Sequence, residues 1–286
     1  MFWRRITMLA LFLAPIAYVS NIASLAVHEV LGHGGTALLL GGQFKGFDLK
    51  WDGMGHAMMS PAPGAPPSHS ILILAAGPCA TTVTGLALLG AVRVAKRSIA
   101  FRMTLLLLSL SCLLDGPPYL FWNAYRPVPP GDIGRILTLL SKGGSTDTSY
   151  WRWSFMVIGG AVSLIATVGL LAILFQAMEE SLGNGERLRG LKRAVVLIVL
   201  LAIPGSIAWF VFDWNQLAPG IGLLPCFVGS ATVVLTAAGL YAVSLDPRPS
   251  LSLRNVSLGH LLASWGVAVV MIGLMLLWLT KGLSWA

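Results

Sequence analysis

The sequence predicts an all-α polytopic membrane protein of about seven transmembrane helices, with a small surface β-hairpin after the first helix. Three observations predict this fold. Hydrophobic residues make up 56% of the chain and charged residues only 10%, which is typical of proteins that lie in lipid. Long apolar runs recur along the whole sequence, and a glycine-rich polar segment follows the first of them. Membrane lipid is therefore the expected surrounding of most of the surface.

Seven apolar runs are near or above the ~20 residues that a spanning helix needs. Five contain no Asp, Glu, Lys or Arg, namely 70–92, 153–178, 194–212, 214–245 and 255–280. Two more, 6–40 and 103–122, are long enough but carry ionisable residues. We expect residues 1–142 to form a core of three spans, and residues 143–286 to add four transmembrane helices.

Two segments between the spans have distinct patterns. Residues 41–60, GGQFKGFDLKWDGMGHAMMS, alternate apolar and polar residues between glycines, which predicts a short hairpin at the membrane surface. From Asn123 to Asp132 the chain reads NAYRPVPPGD, where three prolines disfavour regular helix. Such backbone is tolerated at membrane depth where protein or a water-filled cavity surrounds it.

The net charge of +8 does not indicate nucleic-acid binding, because the basic residues are dispersed among short loops. Their distribution follows membrane topology instead and favours a cytoplasmic N-terminus. We expect no nucleic-acid partner and a location in a bacterial cytoplasmic membrane.

Three ionisable residues, His28, Glu29 and His33, lie within the first long apolar segment. Each costs a few kcal/mol near the centre of a bilayer unless it is paired or bound to a metal ion. A metal site is one interpretation, and a polar cluster that joins helices by hydrogen bonds is the other. In the zincin motif H-E-x-x-H, the histidines bind zinc and the glutamate acts as general base.

The histidines here are five residues apart, one more than in that motif. On a regular helix this spacing separates them by ~140°, too far for easy joint ligation. A π-type bulge would restore the shared face, and Gly32 makes such a deformation easier. Alternatively, Glu29 and His33 are the ligands and His28 supports them.

A zinc ion needs at least one further protein ligand, and Asp115 and Asp132 are the candidates. Either could instead be a helix cap, since an aspartate before a helix start accepts backbone N–H bonds. Three other histidines, His56, His69 and His260, are expected in the hairpin, in the connector before the second span and between helices, respectively.

At these residues the chain resembles the site-2 protease family of intramembrane zinc metalloproteases, in its small branches without extra soluble domains. HEVLGHG at 28–34 resembles the zinc-binding helix, and LAAGPCATT at 74–82 resembles the A-G-P-x-A-N signature. NAYRPVPPGDIGRI, from Asn123 onward, resembles the N-x-x-P-x-P-P-x-D-G-G-R segment that carries the third ligand. Thr81 stands in place of the signature Asn, and Ile133 in place of the first Gly.

The resemblance implies a zinc site made by His28, His33 and Asp132, with Glu29 as general base and Asn123 near the reacting carbonyl. It implies hydrolysis of peptide bonds in or near transmembrane segments of another membrane protein. Two alternatives remain at this point: a non-catalytic metal-binding membrane protein on the same scaffold, and a transporter with the polar cluster on its ion path.

Overall fold

Apolar helices make up most of the part of the chain that the structure describes. The computed structural model of the protein describes residues 2–49, 55–94, 99–125, 131–142, 148–163, 165, 258–277 and 282–284. The predicted spans 194–212 and 214–245, and part of 153–178, lie outside these residues. The count of seven spans therefore stays a prediction.

The helices follow one another closely along the chain. They are α1 (Phe2–Ala26), a π-helix (Val27–Gly34), α2 (Gly35–Leu39), α3 (Pro67–Val94), α4 (Ile99–Asp115), α5 (Pro117–Tyr125), α6 (Asp132–Lys142), α7 (149–163) and α8 (Leu258–Leu277). Within the described residues, four segments are long and apolar enough to span a membrane, and each coincides with a predicted run. They are Leu11–Leu39, Pro67–Val92, Phe101–Tyr125 and Leu258–Leu277.

The predicted hairpin is present. Strand β1 (Gln43–Leu49) pairs antiparallel with β2 (Gly55–Ser60) and places Asp48 opposite His56. The sequence did not indicate a third strand, but the two-residue strand β3 (Leu283–Ser284) pairs with the other edge of β1. A segment close to the C-terminus thus completes the sheet.

Two apolar clusters fix the helices around this hairpin. In the first, Ile22 and Leu25 of α1 pack with Leu49 of β1 and Met275 of α8. The second joins α3, α5 and α6 and consists of Leu74, Ala124, Ile133, Ile136 and Leu137. Helix α3 also packs along both α4 and the π-helix. The π-helix therefore contacts α3 and both strands of the hairpin, in addition to the helices on either side of it.

Helix α6 presents its first residue to the interior. Ile133 and Ile136 are buried, while Arg135 on the other face is exposed. Because residues four apart lie on the same side of a helix, Asp132 lies on the same side as Ile136. The amphipathic pattern of α6 therefore directs Asp132 towards the helix bundle.

Helix α5 ends against α7. Arg152 of α7 donates a hydrogen bond from Nε to the carbonyl of Ala124 at 2.7 Å and another from its guanidinium to the carbonyl of Tyr125. These bonds satisfy carbonyls that the end of a helix leaves free.

The prediction that the prolines disfavour regular helix from Asn123 to Asp132 was wrong for Asn123 to Tyr125, which are helical. A proline restricts the residue just before it, so Pro127 does not prevent helix up to Tyr125; residues 126–130 lie outside the described ones.

Candidate metal centre

The segment HEVLGHG forms a π-helix, Val27–Gly34, between two α-helical segments. Hydrogen bonds in a π-helix join residues five apart, so positions i and i+5 come to the same face. The rings of His28 and His33 accordingly lie 4.9 Å apart between centroids. The predicted widening of this helix is confirmed, and it brings two histidines that are five residues apart to one face.

His33 has one ring nitrogen fixed by the backbone of α3. Its Nδ1 lies 2.7 Å from the carbonyl oxygen of Ile73, and since a carbonyl only accepts, Nδ1 carries the hydrogen. Nε2 then keeps its lone pair and lies 3.3 Å from Oδ2 of Asp132. The imidazole is 2% exposed, so this tautomer is held in a nearly dry environment.

His28 is arranged in the same way with different partners. Its Nδ1 lies 3.2 Å from Oδ2 of Asp115, and its Nε2 lies 3.4 Å from Oδ2 of Asp132. An ionised carboxylate accepts and does not donate, so Asp115 favours hydrogen on Nδ1. Both histidines therefore direct Nε2 towards one oxygen of Asp132.

Asp132 is held by Tyr119 as well as by the histidines. The Tyr119 hydroxyl donates to Oδ2 of Asp132 at 3.1 Å and accepts the Asp132 backbone N–H at 3.1 Å. Tyr119 thus fixes the orientation of the Asp132 carboxylate.

The distances from Asp132 to the two histidines fit a zinc ion. Two ligands at ~2.0–2.1 Å from a tetrahedral ion lie ~3.3 Å from each other. The distances from Asp132 Oδ2 to Nε2 of His33 and of His28 are 3.3 Å and 3.4 Å. Two imidazole nitrogens and one carboxylate oxygen also match the donor types of catalytic zinc sites, which keep a fourth position open.

Glu29 lies beside this cluster and is held from the hairpin side. One carboxylate oxygen of Glu29 and one ring nitrogen of each histidine lie within 4.8 Å of one another. The backbone of Ala57 in β2 hydrogen-bonds to the Glu29 carboxylate. A Cβ at Gly55 would lie 3.0 Å from Cγ of Glu29, so the strand closes over this side chain. Glu29 could serve as a fourth donor or act on a molecule bound beside the ion.

The A-G-P segment of α3 forms the floor of the site. A Cβ at Gly77 would lie 2.6 Å from Cε1 of His33 and would also clash with the His28 ring. A Cβ at Gly32 would lie 2.6 Å from Cα of Gly77. The two glycines therefore let the π-helix and α3 approach closely. Thr81, which replaces the signature Asn, is buried and donates to the carbonyl of Pro78 at 3.1 Å.

The structure brings His28, His33 and Asp132 together, with Glu29 next to them. Asn123 is half-buried on α5, one turn after Tyr119 and on the same side of that helix. The helix-cap interpretation of Asp115 is wrong: Asp115 is the last residue of α4, and its carboxylate contacts His28 and Ser24.

Sequence reasoning missed the part played by Tyr119, Ser24 and the Ile73 carbonyl. Two four-residue intervals in the sequence could have indicated part of this arrangement: Tyr119 lies midway between Asp115 and Asn123, and Ser24 precedes His28 by four residues. The remaining histidines lie elsewhere. His56 is exposed on the hairpin 3.5 Å from Asp48, and the His260 ring lies edge-on to Phe12. The prediction that His69 lies in a connector was wrong, because α3 begins at Pro67 and includes it.

The comparison with protein families agrees with this geometry. Residues 4–116 match the sequence profile of the family described as Peptidase M50B-like, which is the site-2 protease family. The match includes His28, Glu29, His33 and Asp115 and ends before Asp132. No curated protein and no solved structure matches the chain.

Proposed function

We propose, from the Peptidase M50B-like match of residues 4–116, that this integral membrane protein is a zinc metallopeptidase that cleaves peptide bonds in or near transmembrane segments. One observation carries the proposal. His28 and His33 each have Nδ1 engaged elsewhere and direct Nε2 to the same oxygen of Asp132. A metal ion bound between these atoms would satisfy two nitrogen lone pairs and a carboxylate oxygen at once.

In this proposal His28, His33 and Asp132 hold the zinc ion. When bound, zinc supplies a Lewis acid that acidifies water and polarises the carbonyl of the scissile bond. The protein keeps the three donors fixed before metal arrives, because Ile73, Asp115 and Tyr119 each hold one of them by a hydrogen bond. Fixed donors lower the ordering cost of metal binding.

Glu29 is the proposed general base. It would take a proton from the attacking water and pass that proton to the leaving amine, which requires a carboxylate close to the ion but outside its ligand set. The backbone of Ala57 and the proximity of Gly55 keep Glu29 at the hairpin side of the cluster. Asn123 is proposed to lie near the reacting carbonyl, as the family resemblance implies.

The proposed substrate is a membrane protein whose transmembrane helix unwinds locally, because the peptide bonds of a regular helix are shielded. A mostly apolar cavity of about 350 Å³ lies between the end of β2, the start of α3 and α6. It shares Ile73 with the site, since the Ile73 carbonyl holds His33. We assign this cavity to an apolar side chain of the unwound substrate. A bacterial cytoplasmic membrane is the proposed location.

The test is cleavage by the purified protein in liposomes, with a panel of single-span proteins as substrates. We expect zinc in the purified protein and cleavage within the hydrophobic segment that stops when a chelator removes zinc and returns when zinc is restored. Cleavage that persists in the chelator, with zinc verified to be absent, would contradict a metallopeptidase.

A non-catalytic metal-binding protein is the second candidate, favoured by Thr81 in place of the signature Asn. The same assay separates the two. Stoichiometric zinc without cleavage of any tested substrate, including co-expressed membrane proteins, favours the second candidate.

A further inference from the structure

The carboxylate of Asp115 joins three helical segments at the side of the site away from Asp132. Its Oδ2 accepts a hydrogen bond from Ser24 of α1 at 3.2 Å and lies 3.2 Å from Nδ1 of His28. Ser24 is fully buried and lies one turn before His28. A partly buried carboxylate at the end of α4 is thus bonded both to the ring of His28 and to the helical turn that precedes it.

Asp115 and Asp132 contact opposite edges of the same imidazole. Asp132 is at Nε2 and Asp115 is at Nδ1. An ion held by Nε2 of both histidines lies on the Asp132 side, so Asp115 would have to cross the His28 ring to bind it. This placement supports Asp132 over Asp115 as the proposed third ligand.

We propose that Asp115, itself held by Ser24, is the positioning residue of the metal centre, a role that rests on the proposed zinc site. The carboxylate keeps hydrogen on Nδ1, leaves the Nε2 lone pair free and fixes the rotation of the ring. Carboxylates behind ligating histidines act in this way in zinc proteins, and their loss typically costs 10–100-fold in metal affinity.

The test uses zinc affinity, measured by chelator competition on the purified full-length protein, and the absorption spectrum of the cobalt-substituted protein. The variants are Asp115→Asn, Asp115→Ala and Ser24→Ala. Ser109→Ala is the matched control, because Ser109 is also fully buried and its hydroxyl also makes an interhelical bond, to the carbonyl of Gly85 at 2.7 Å. Thermal unfolding checks that each variant is folded.

We expect Asp115→Ala to bind one zinc ion with affinity ~10–100-fold below the parent protein. Asp115→Asn should lose less, because the amide oxygen still accepts from Nδ1, and Ser24→Ala should lose least. The cobalt spectrum should keep its tetrahedral intensity but shift in the Asp115 variants, and Ser109→Ala should change neither measurement.

Parent affinity and spectrum in Asp115→Ala and Asp115→Asn would overturn the positioning role. Complete loss of metal in folded Asp115→Asn would also overturn it, since Asp115 would then be a ligand. If the parent protein binds metal but cleaves nothing, only the catalytic proposal fails. The zinc affinities of the variants still test the positioning role of Asp115. If it binds neither zinc nor cobalt, both proposals are wrong.

Discussion

Gly77 lies in van der Waals contact with the His28 ring, so closely that no side chain larger than hydrogen fits between α3 and the π-helix. A Cβ at this position would clash with Nε2 of His28 and lie 2.6 Å from its Cδ2. Nε2 is the atom proposed to bind the metal. The glycine of the A-G-P segment is therefore a steric requirement of the site and does more than ease helix packing.

Gly77→Ala should displace both imidazoles and abolish stoichiometric zinc binding, with loss of any cleavage. Gly90→Ala is the control on the same helix, because a Cβ at Gly90 meets no atom within 4 Å. That substitution should leave zinc content unchanged. Metal analysis of the two purified variants checks the prediction, which fails if Gly77→Ala retains stoichiometric zinc at parent affinity.

Deletion of Leu31 should convert the π-helix into a regular helix and bring His28 and His33 to i and i+4 spacing. Leu31 is 64% exposed, so little packing is lost. We expect the shortened protein to retain zinc. Deletion of Leu38, which is 56% exposed and follows both histidines, cannot shorten their spacing and should impair folding or metal binding. Zinc lost from folded Leu31-deleted protein but kept in the Leu38 deletion would contradict the prediction.

Gly55→Ala should lower kcat and leave zinc content intact, because a Cβ there would press on Glu29 and not on the ligands. The new Cβ would lie 2.9 Å from Cδ2 of Leu49 and 3.3 Å from Oε1 of Glu29. His56→Ala, on the same strand with an exposed side chain, is the control and should keep parent kcat. Equal kcat in both variants would show that the position of Glu29 does not limit the rate.

Arg152→Gln should destabilise the helix bundle by about 1–3 kcal/mol, since charge-assisted hydrogen bonds to the carbonyls of Ala124 and Tyr125 are lost. Lys142→Gln at the exposed end of α6 should change stability by less than about 1 kcal/mol. Thermal unfolding in detergent compares the two. Similar unfolding temperatures for Arg152→Gln and the parent protein would rule out a stabilising role for Arg152.

Local patterns in the sequence were sufficient for the features that depend on neighbouring residues. Apolar runs gave the four described spans, alternation between glycines gave the β1–β2 hairpin, and the five-residue histidine spacing gave the π-helix. Each of these features follows from a periodicity or a steric rule that can be recognised within a single segment of the chain.

Features that join distant segments could not be read in the same way. Nothing near Leu283 indicates that it pairs with β1, and nothing near Asp115 indicates that its carboxylate reaches Ser24 and His28. These contacts depend on how α4 and α8 pack against α1. That packing is determined by the shapes of side chains from several helices together. The interpretation of Asp115 as a cap or a ligand had to wait for that packing.

The most direct measurement is the zinc stoichiometry of Glu29→Gln, His33→Ala and Asp132→Ala, each compared with the parent protein in the same purification. We expect about one zinc per chain for Glu29→Gln, with cleavage reduced ~10²–10⁴-fold or more, because a general base acts without belonging to the coordination sphere. His33→Ala and Asp132→Ala should lose the metal. Loss of zinc from folded Glu29→Gln, with zinc retained in Asp132→Ala, would contradict both the ligand set and the base.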